Sequence, residues 1–205
     1  MLIEIIENVA QISVLFICAG IALHNALAEQ SRIWTLTFFF LGSFGLGDIY
    51  WLVCLIFYGE SPQISVVSNL SWYAAYIFLY MMLRRAAPPE GSGRRHLLPW
   101  AGPAFSAVMA VYFMQWGDIL NNLLIALLMG LLSFSALARL SSGSRYRNQR
   151  FLFVSALFLY VTEYALWISS CLWEYTPSSP YYWFDILLTL SFIPFVPAVR
   201  KAVAE

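Results

Sequence analysis

Charge is what this 205-residue sequence has least of: Asp, Glu, Lys and Arg make up 11% of it. A soluble domain carries about 25%, so a water-facing surface cannot be assembled from these residues. Lys201 is the sole lysine and stands at the basic C-terminal end, which excludes a Schiff base to a buried chromophore. His24 and His96 are the two histidines, too few for a three-histidine zinc site. Cys18, Cys54 and Cys171 are scattered through apolar stretches with no CxxC or other ligand spacing, which argues against disulfides and metal. They read as small buried hydrophobes. There is no Gly-x-Ser-x-Gly elbow, no phosphate loop and no haem spacing. No cofactor is expected.

What remains is apolar, 61% hydrophobic and 18% aromatic. Seven apolar segments stand out, at 5–27, 33–58, 62–83, 97–116, 118–140, 151–174 and 181–199. About 20 residues of helix cross a bilayer, so the expectation is an all-α polytopic membrane protein forming one transmembrane domain over 1–205. The breaks are Pro/Gly/Arg-rich at Arg84–His96, polar and basic at Ser141–Arg150, and tight at Gly59–Pro62 and Thr176–Pro180. The first segment opens with Glu4 and Glu7 where a signal peptide would carry basic residues. It is expected to stay as an anchor.

Orientation follows from charge. Arg32, Arg84, Arg85, Arg94, Arg95, Arg139, Arg145, Arg147, Arg150, Arg200 and Lys201 all fall on one side of a seven-segment threading. The other side offers Glu4, Glu60, Asp118 and Glu174. Bases are retained on the cytoplasmic face, which predicts an N-terminus outside, a C-terminus in the cytoplasm and a place in the cell inner membrane. A shift of 115 residues superposes Asp48 on Glu163, Pro62 on Pro177, Arg32 on Arg147, Arg85 on Arg200 and Glu7 on Asn122. The expected plan is therefore 3+1+3: a repeat over 1–85, a connector helix at 97–116 and a second repeat over 117–201. One intervening helix gives both copies the same sense across the membrane, a parallel repeat as in some transporters.

Two acids lie near mid-membrane. Asp48 is some ten residues from the outer end of its segment and Glu163 about eleven. A charge at that depth costs about 2.5 to over 10 kcal/mol and faces the bundle interior. Tyr160, Trp167 and Ser170 share a helical face with Glu163, and Asn69, Trp72, Tyr73, Tyr76 and Tyr80 form a polar-aromatic stripe in the third segment. Asp185 and Thr189 continue the pattern in the seventh. Glu4, Glu7, Asn8 and Gln11 share a face of the first, and Asp118, Asn121 and Asn122 mark the outer end of the fifth. The expected site is an outward-facing cavity walled by aromatics and floored by Asp48 and Glu163. Its ligand-binding set is Asp48, Glu163, Asn69, Trp72, Tyr73, Tyr76, Tyr160, Trp167, Asp185, Glu7 and Asn122. The plainer alternative is that these polar groups cross-link helices, as membrane bundles do. Trp100, Trp116, Trp173 and Trp183 belong to the interfacial belt.

Two resemblances meet at these residues. Leu46-Gly47-Asp48, Pro62 and Leu70-Ser71-Trp72-Tyr73-Ala74-Ala75-Tyr76 before Arg84-Arg85 resemble the membrane sensor region preceding some bacterial diguanylate cyclases and histidine kinases. That resemblance implies a sensor-like binding protein, here expected to have no output domain. Gly47-Asp48, with Ser155-Ala156-Leu157-Phe158 leading to Thr162-Glu163, is similar to the lysoplasmalogenase family. It implies a hydrolase using Asp48 and Glu163, although that family has eight helices, a His at the place of Asn69 and an Asp at that of Glu163. Pro62-Gln63 matches the motif of the Pro-Gln-loop sugar transporters but falls on the opposite side. The leading expectation is a bacterial sensor-like protein that takes a small or lipidic ligand without an enzymatic step. A lysoplasmalogenase-type hydrolase and a small-molecule transporter are the alternatives. Expected partners are membrane lipids, a small-molecule or lipid ligand and a membrane partner subunit, with no nucleic acid.

Overall fold

The computed structural model describes residues 2–60, 62, 65–87, 97–116, 118–141, 147–173 and 179–204. All described secondary structure is helical: α1 (Leu2–Glu29), α2 (Arg32–Tyr58), α3 (Val66–Ala86), α4 (Ala101–Phe113), α5 (Ile119–Leu140), α6 (Arg150–Leu172), α7 (Pro180–Phe192) and α8 (Phe195–Val203). Counting α7 and α8 as one apolar run, Pro180–Val203, six helices are long and apolar enough to cross a membrane. That is the makeup of a multi-pass membrane protein. The fourth predicted segment is the exception. Its α-helix has 13 residues, flanked by 3-10 turns at Leu98–Trp100 and Met114–Trp116. Pro180–Val203 is broken at Ile193–Pro194, where proline has no N–H for the helical ladder. The expectations that rest on Gln63 and on 88–96, 142–146 and 174–178 lie outside the described residues; they include those for Arg94, Arg95, His96, Arg145, Glu174 and Pro177.

Local chemistry sets the helix ends. Gly59 closes α2 with φ 73°, its N–H reaching the Leu55 carbonyl at 3.2 Å; a side chain would strain that left-handed turn. Asp118 caps α5, its Oδ1 accepting from Asn121 N at 3.1 Å. Ser179 caps α7 through its hydroxyl, with Pro180 in the first turn, where its missing N–H costs nothing.

The helices pack as a ring. Sequence neighbours pair as α1–α2, α2–α3, α5–α6 and α6–α7, and contacts of α3 with α5 and of α1 with α7 close the circle. α4 leans on α5 from outside it. It also reaches α6, where the Tyr160 hydroxyl donates to the Gly102 carbonyl and meets Ser106 Oγ, both at 2.9 Å. Gly102 has a packing reason to be bare, since a Cβ there would run into Ser133 of α5. Outward positions are apolar and exposed, as lipid contact requires: Ile17, Leu46, Phe57, Val108, Val161 and Trp183 all project from the bundle.

The described bases Arg32, Arg84, Arg85, Arg139, Arg147, Arg150, Arg200 and Lys201 gather at one end of the bundle, opposite to the N-terminus of α1. That half is solid. Phe40 packs on Phe195 at 5.1 Å and on Phe192 at 6.1 Å between ring centroids, with Leu79, Met82, Leu83, Leu152 and Phe153 fully buried around them. Arg139 is itself buried there. Its Nε donates to the Ala87 carbonyl at 2.6 Å, and its Nη1 to Ser135 O and Oγ at 2.7 Å.

Candidate functional site

The other half of the ring is hollow. A cavity of about 380 Å³ runs between α1, α2, α3, α5, α6 and α7, with Ala110 and Phe113 of α4 also on its wall, from Asn8, Trp116, Asp118 and Asn121 near the helix ends down to Phe44, Asp48, Tyr76, Glu163 and Leu188. Asp48 lies ten residues from the end of α2 and Glu163 nine from the end of α6, about 14–15 Å along each axis. The floor is therefore near the middle of the bundle.

Asp48 is 4% exposed and held through both oxygens. Trp72 Nε1 donates to Oδ1 at 3.1 Å and Gln11 Nε2 to Oδ2 at 3.0 Å. The Thr189 hydroxyl in turn donates to Gln11 Oε1 at 3.1 Å. One chain of hydrogen bonds thus ties α3, α2, α1 and α7. Its geometry depends on Gly47: a Cβ there would stand 2.6 Å from Trp72 Nε1 and 2.9 Å from its Cδ1, too close for the indole to stay. Glu163 is 2% exposed and accepts from the Tyr76 hydroxyl at 2.7 Å, joining α6 to α3. Asp185, 8% exposed on α7, also lines the cavity. Among the described residues no side chain forms an ion pair with these acids, and no group of three or more His, Cys, Asp or Glu is arranged to hold a metal.

Of the eleven residues expected in the site, the cavity brings together Asp48, Glu163, Asn69, Trp72, Tyr76, Trp167, Asp185 and Asn122. Asn122 Nδ2 donates to the Phe113 carbonyl at 3.1 Å and so pins the end of α4 to α5. Tyr73 stands behind the wall and donates to Asn121, which lines it. Tyr160 turns away to α4 through the two bonds given above, so it braces the bundle and does not line the cavity. Glu7 is likewise off the wall, with a buried Oε2 that has no hydrogen-bond partner among the described residues. Asn8 and Gln11, the latter one turn along the same face of α1, do line the space. Trp116, expected in the interfacial belt, is 48% exposed and also lines the cavity mouth. His24 is exposed on α1 and takes no part.

Sequence reasoning missed Phe44, Trp51, Phe113 and Tyr164, all of which line the cavity. Trp51 lies against Trp72 with centroids 6.0 Å apart, and Tyr164 against Trp167 at 5.2 Å. The available signal was helical spacing from an acid: Phe44 and Trp51 fall four before and three after Asp48, on its face of α2.

No protein-family model, no curated protein and no solved structure matches this chain.

Proposed function

We propose that this is a bacterial sensor- or receptor-like protein of the inner membrane that binds a small or lipidic ligand in the cavity described above. The observation that carries the reading is the convergence of Asp48 and Glu163, from α2 and α6, on one aromatic-walled space. At about 380 Å³ it falls in the range of small-molecule pockets, about 300–1,000 Å³. It is also lined mostly by aromatic and apolar groups with a few polar ones, as such pockets are.

The proposal includes an N-terminus outside and a C-terminus in the cytoplasm, supported by the gathering of bases at the end away from the cavity. It includes a seventh crossing as well. Leu98–Trp116 offers 13 α-helical and six 3-10 residues, and at about 1.5 and 2.0 Å each these reach about 30 Å, the thickness of the hydrocarbon core. The 3+1+3 repeat is supported by the helix order in the ring, α1-α2-α3-α5-α6-α7. Advancing that order by three positions returns it to itself, exchanges α2 with α6, and leaves α4 outside as the connector.

Two features favour binding over the alternatives. Each oxygen of Asp48 accepts a hydrogen bond from a neighbouring helix, which favours a positioning role for this carboxylate over that of a hydrolase base. Beneath the cavity the phenylalanine cluster fills the bundle, where a transporter needs a path.

The test is extraction of the ligand. Purified protein is expected to carry a small molecule or lipid identifiable by mass spectrometry, and Asp48→Asn and Glu163→Gln to fold but retain less of it. Turnover of lysophospholipid and alkenyl-ether lipids is expected to be absent; hydrolysis abolished by either variant would replace this reading with the hydrolase. For topology, single cysteines at Glu60 and Ser178, in a background without the native three, should react with an impermeant thiol reagent on whole cells. Those at Ser92 and Ser144 should not, and the reverse pattern would invert the orientation.

A further inference from the structure

The charges around the cavity are all of one sign. Asp48, Glu163 and Asp185 line it at depth and Asp118 lines its edge, with no Lys, Arg or His on the wall among the described residues. The deep acids come from three helices, Asp48 from α2, Glu163 from α6 and Asp185 from α7. They differ in how they are satisfied. Asp48 has two donors and Glu163 has Tyr76, whereas no described group donates a hydrogen bond to Asp185. A carboxylate more than nine-tenths buried, facing a cavity with no partner, is costly unless something neutralises it. The walls add a second, independent preference. Trp51, Trp72, Trp167 and Tyr181 surround the space, and the faces of indole and phenol rings attract cations.

Resting on the ligand-site reading above, we infer that the ligand is a cation of the amine or ammonium class, its head group seated against Asp185 and enclosed by the aromatic walls. A primary amine would donate to the free Asp185 oxygens. A methylated ammonium would instead rely on its charge and on the ring faces. An anionic head group is excluded by three acids with no base among the lining residues, and a neutral one would leave Asp185 uncompensated. The ammonium group belongs either to a water-borne amine or to the head of a membrane amphiphile; the cavity chemistry is the same for both.

The test holds the alkyl chain constant and changes the head. Hexylammonium, hexyltrimethylammonium, 1-hexanol and hexanoate are titrated into the purified full-length chain in neutral detergent, with binding read by calorimetry and by the fluorescence of the cavity tryptophans. The same heads on hexadecyl chains, presented in nanodiscs, form the membrane arm. At least one cationic head is expected to bind about tenfold or more tighter than the alcohol, with the carboxylate weakest. Asp185→Asn should erase that preference without lowering the unfolding temperature of the ligand-free protein, and Asp185→Glu should recover part of it. Preference with hexyl chains assigns a water-borne amine, and preference confined to hexadecyl chains assigns an amphiphile. Equal binding of cation and alcohol, tighter binding of hexanoate, or an undiminished cation preference in Asp185→Asn would overturn the inference while leaving a ligand site. If no head group binds in either arm, the ligand-site reading falls with it.

Discussion

At the level of Phe40 the ring helices meet aromatic against aromatic, with Phe192 and Phe195 closing the centre. Two turns further along α2, at Asp48, the same helices stand apart around a cavity, and side-chain hydrogen bonds replace packing as the link between them. Both levels lie inside apolar helices, so hydrophobicity does not distinguish them. What differs is side-chain shape and hydrogen-bonding capacity. The base-rich half is filled by Phe, Leu and Met. The other half sets Trp and Tyr rings, which project polar tips, around carboxylates that need donors. The first arrangement holds the bundle together; the second preserves a space within it.

Substitutions should separate the halves in graded steps. The largest effect is expected from Phe40→Ala, which empties the centre of the packed half and should cost about 3–5 kcal/mol. It should appear as a lower unfolding temperature with little change in ligand affinity among molecules that remain folded. If this variant is no less stable than those in the cavity half, the contrast between a packed and a hollow half is wrong. Next is Gly47→Ala, whose added methyl must displace the Trp72 indole from Asp48. Losing a hydrogen bond to a buried carboxylate should cost about 1.5–3 kcal/mol and shift tryptophan emission. Unchanged emission would mean that the indole is not held at Asp48.

Smaller effects should follow at the periphery of the network. Tyr76→Phe removes the donor to Glu163 and should cost about 1–2 kcal/mol, measured in the same unfolding assay. Thr189→Val removes one neutral hydrogen bond to Gln11 and should cost about 0.5–1.5 kcal/mol; it is scored best beside Asp48→Asn, because the two share one chain and should be non-additive. Asp185→Asn deletes no hydrogen bond and removes an unpartnered buried carboxylate, so the ligand-free protein should lose no stability and should gain some. A large loss there would reveal a structural partner and move Asp185 from the cavity's chemistry into the scaffold's.

Much of this is legible in the sequence, for specific reasons. An apolar run bounded by Pro, Gly and Arg reads directly as a helix, and the predicted 33–58 and 118–140 correspond to Arg32–Tyr58 and Ile119–Leu140. Asp48, Glu163 and Asp185 stand out because a carboxylate in such a run has few tolerable surroundings. The errors have equally definite causes. Tyr160 lies three residues from Glu163, a spacing that keeps it near the same face, but the Gly102 carbonyl and the Ser106 hydroxyl on α4 draw its tip aside. Phe44 and Trp51 escape notice because α2 is apolar on every side, so its periodicity does not tell the interior face from the lipid face. The fourth segment reads as a full helix because residue counting cannot see that both its ends tighten into 3-10 turns.

The break at Ile193–Pro194 has a mechanical side. An unbroken helix of this length would behave as a single stiff rod, carrying any tilt at Asp185 straight to Arg200. Without the proline N–H a rung of the ladder is missing while Ile193 and Pro194 keep helical dihedrals, which leaves a softer joint between α7 bordering the cavity and α8 beneath it. Both pieces rest on the same ring, since Phe192 at the end of α7 and Phe195 at the start of α8 each pack on Phe40 of α2. Phe40 therefore braces both sides of the joint, so a displacement of α7 would meet α8 by ring contact as well as along the backbone.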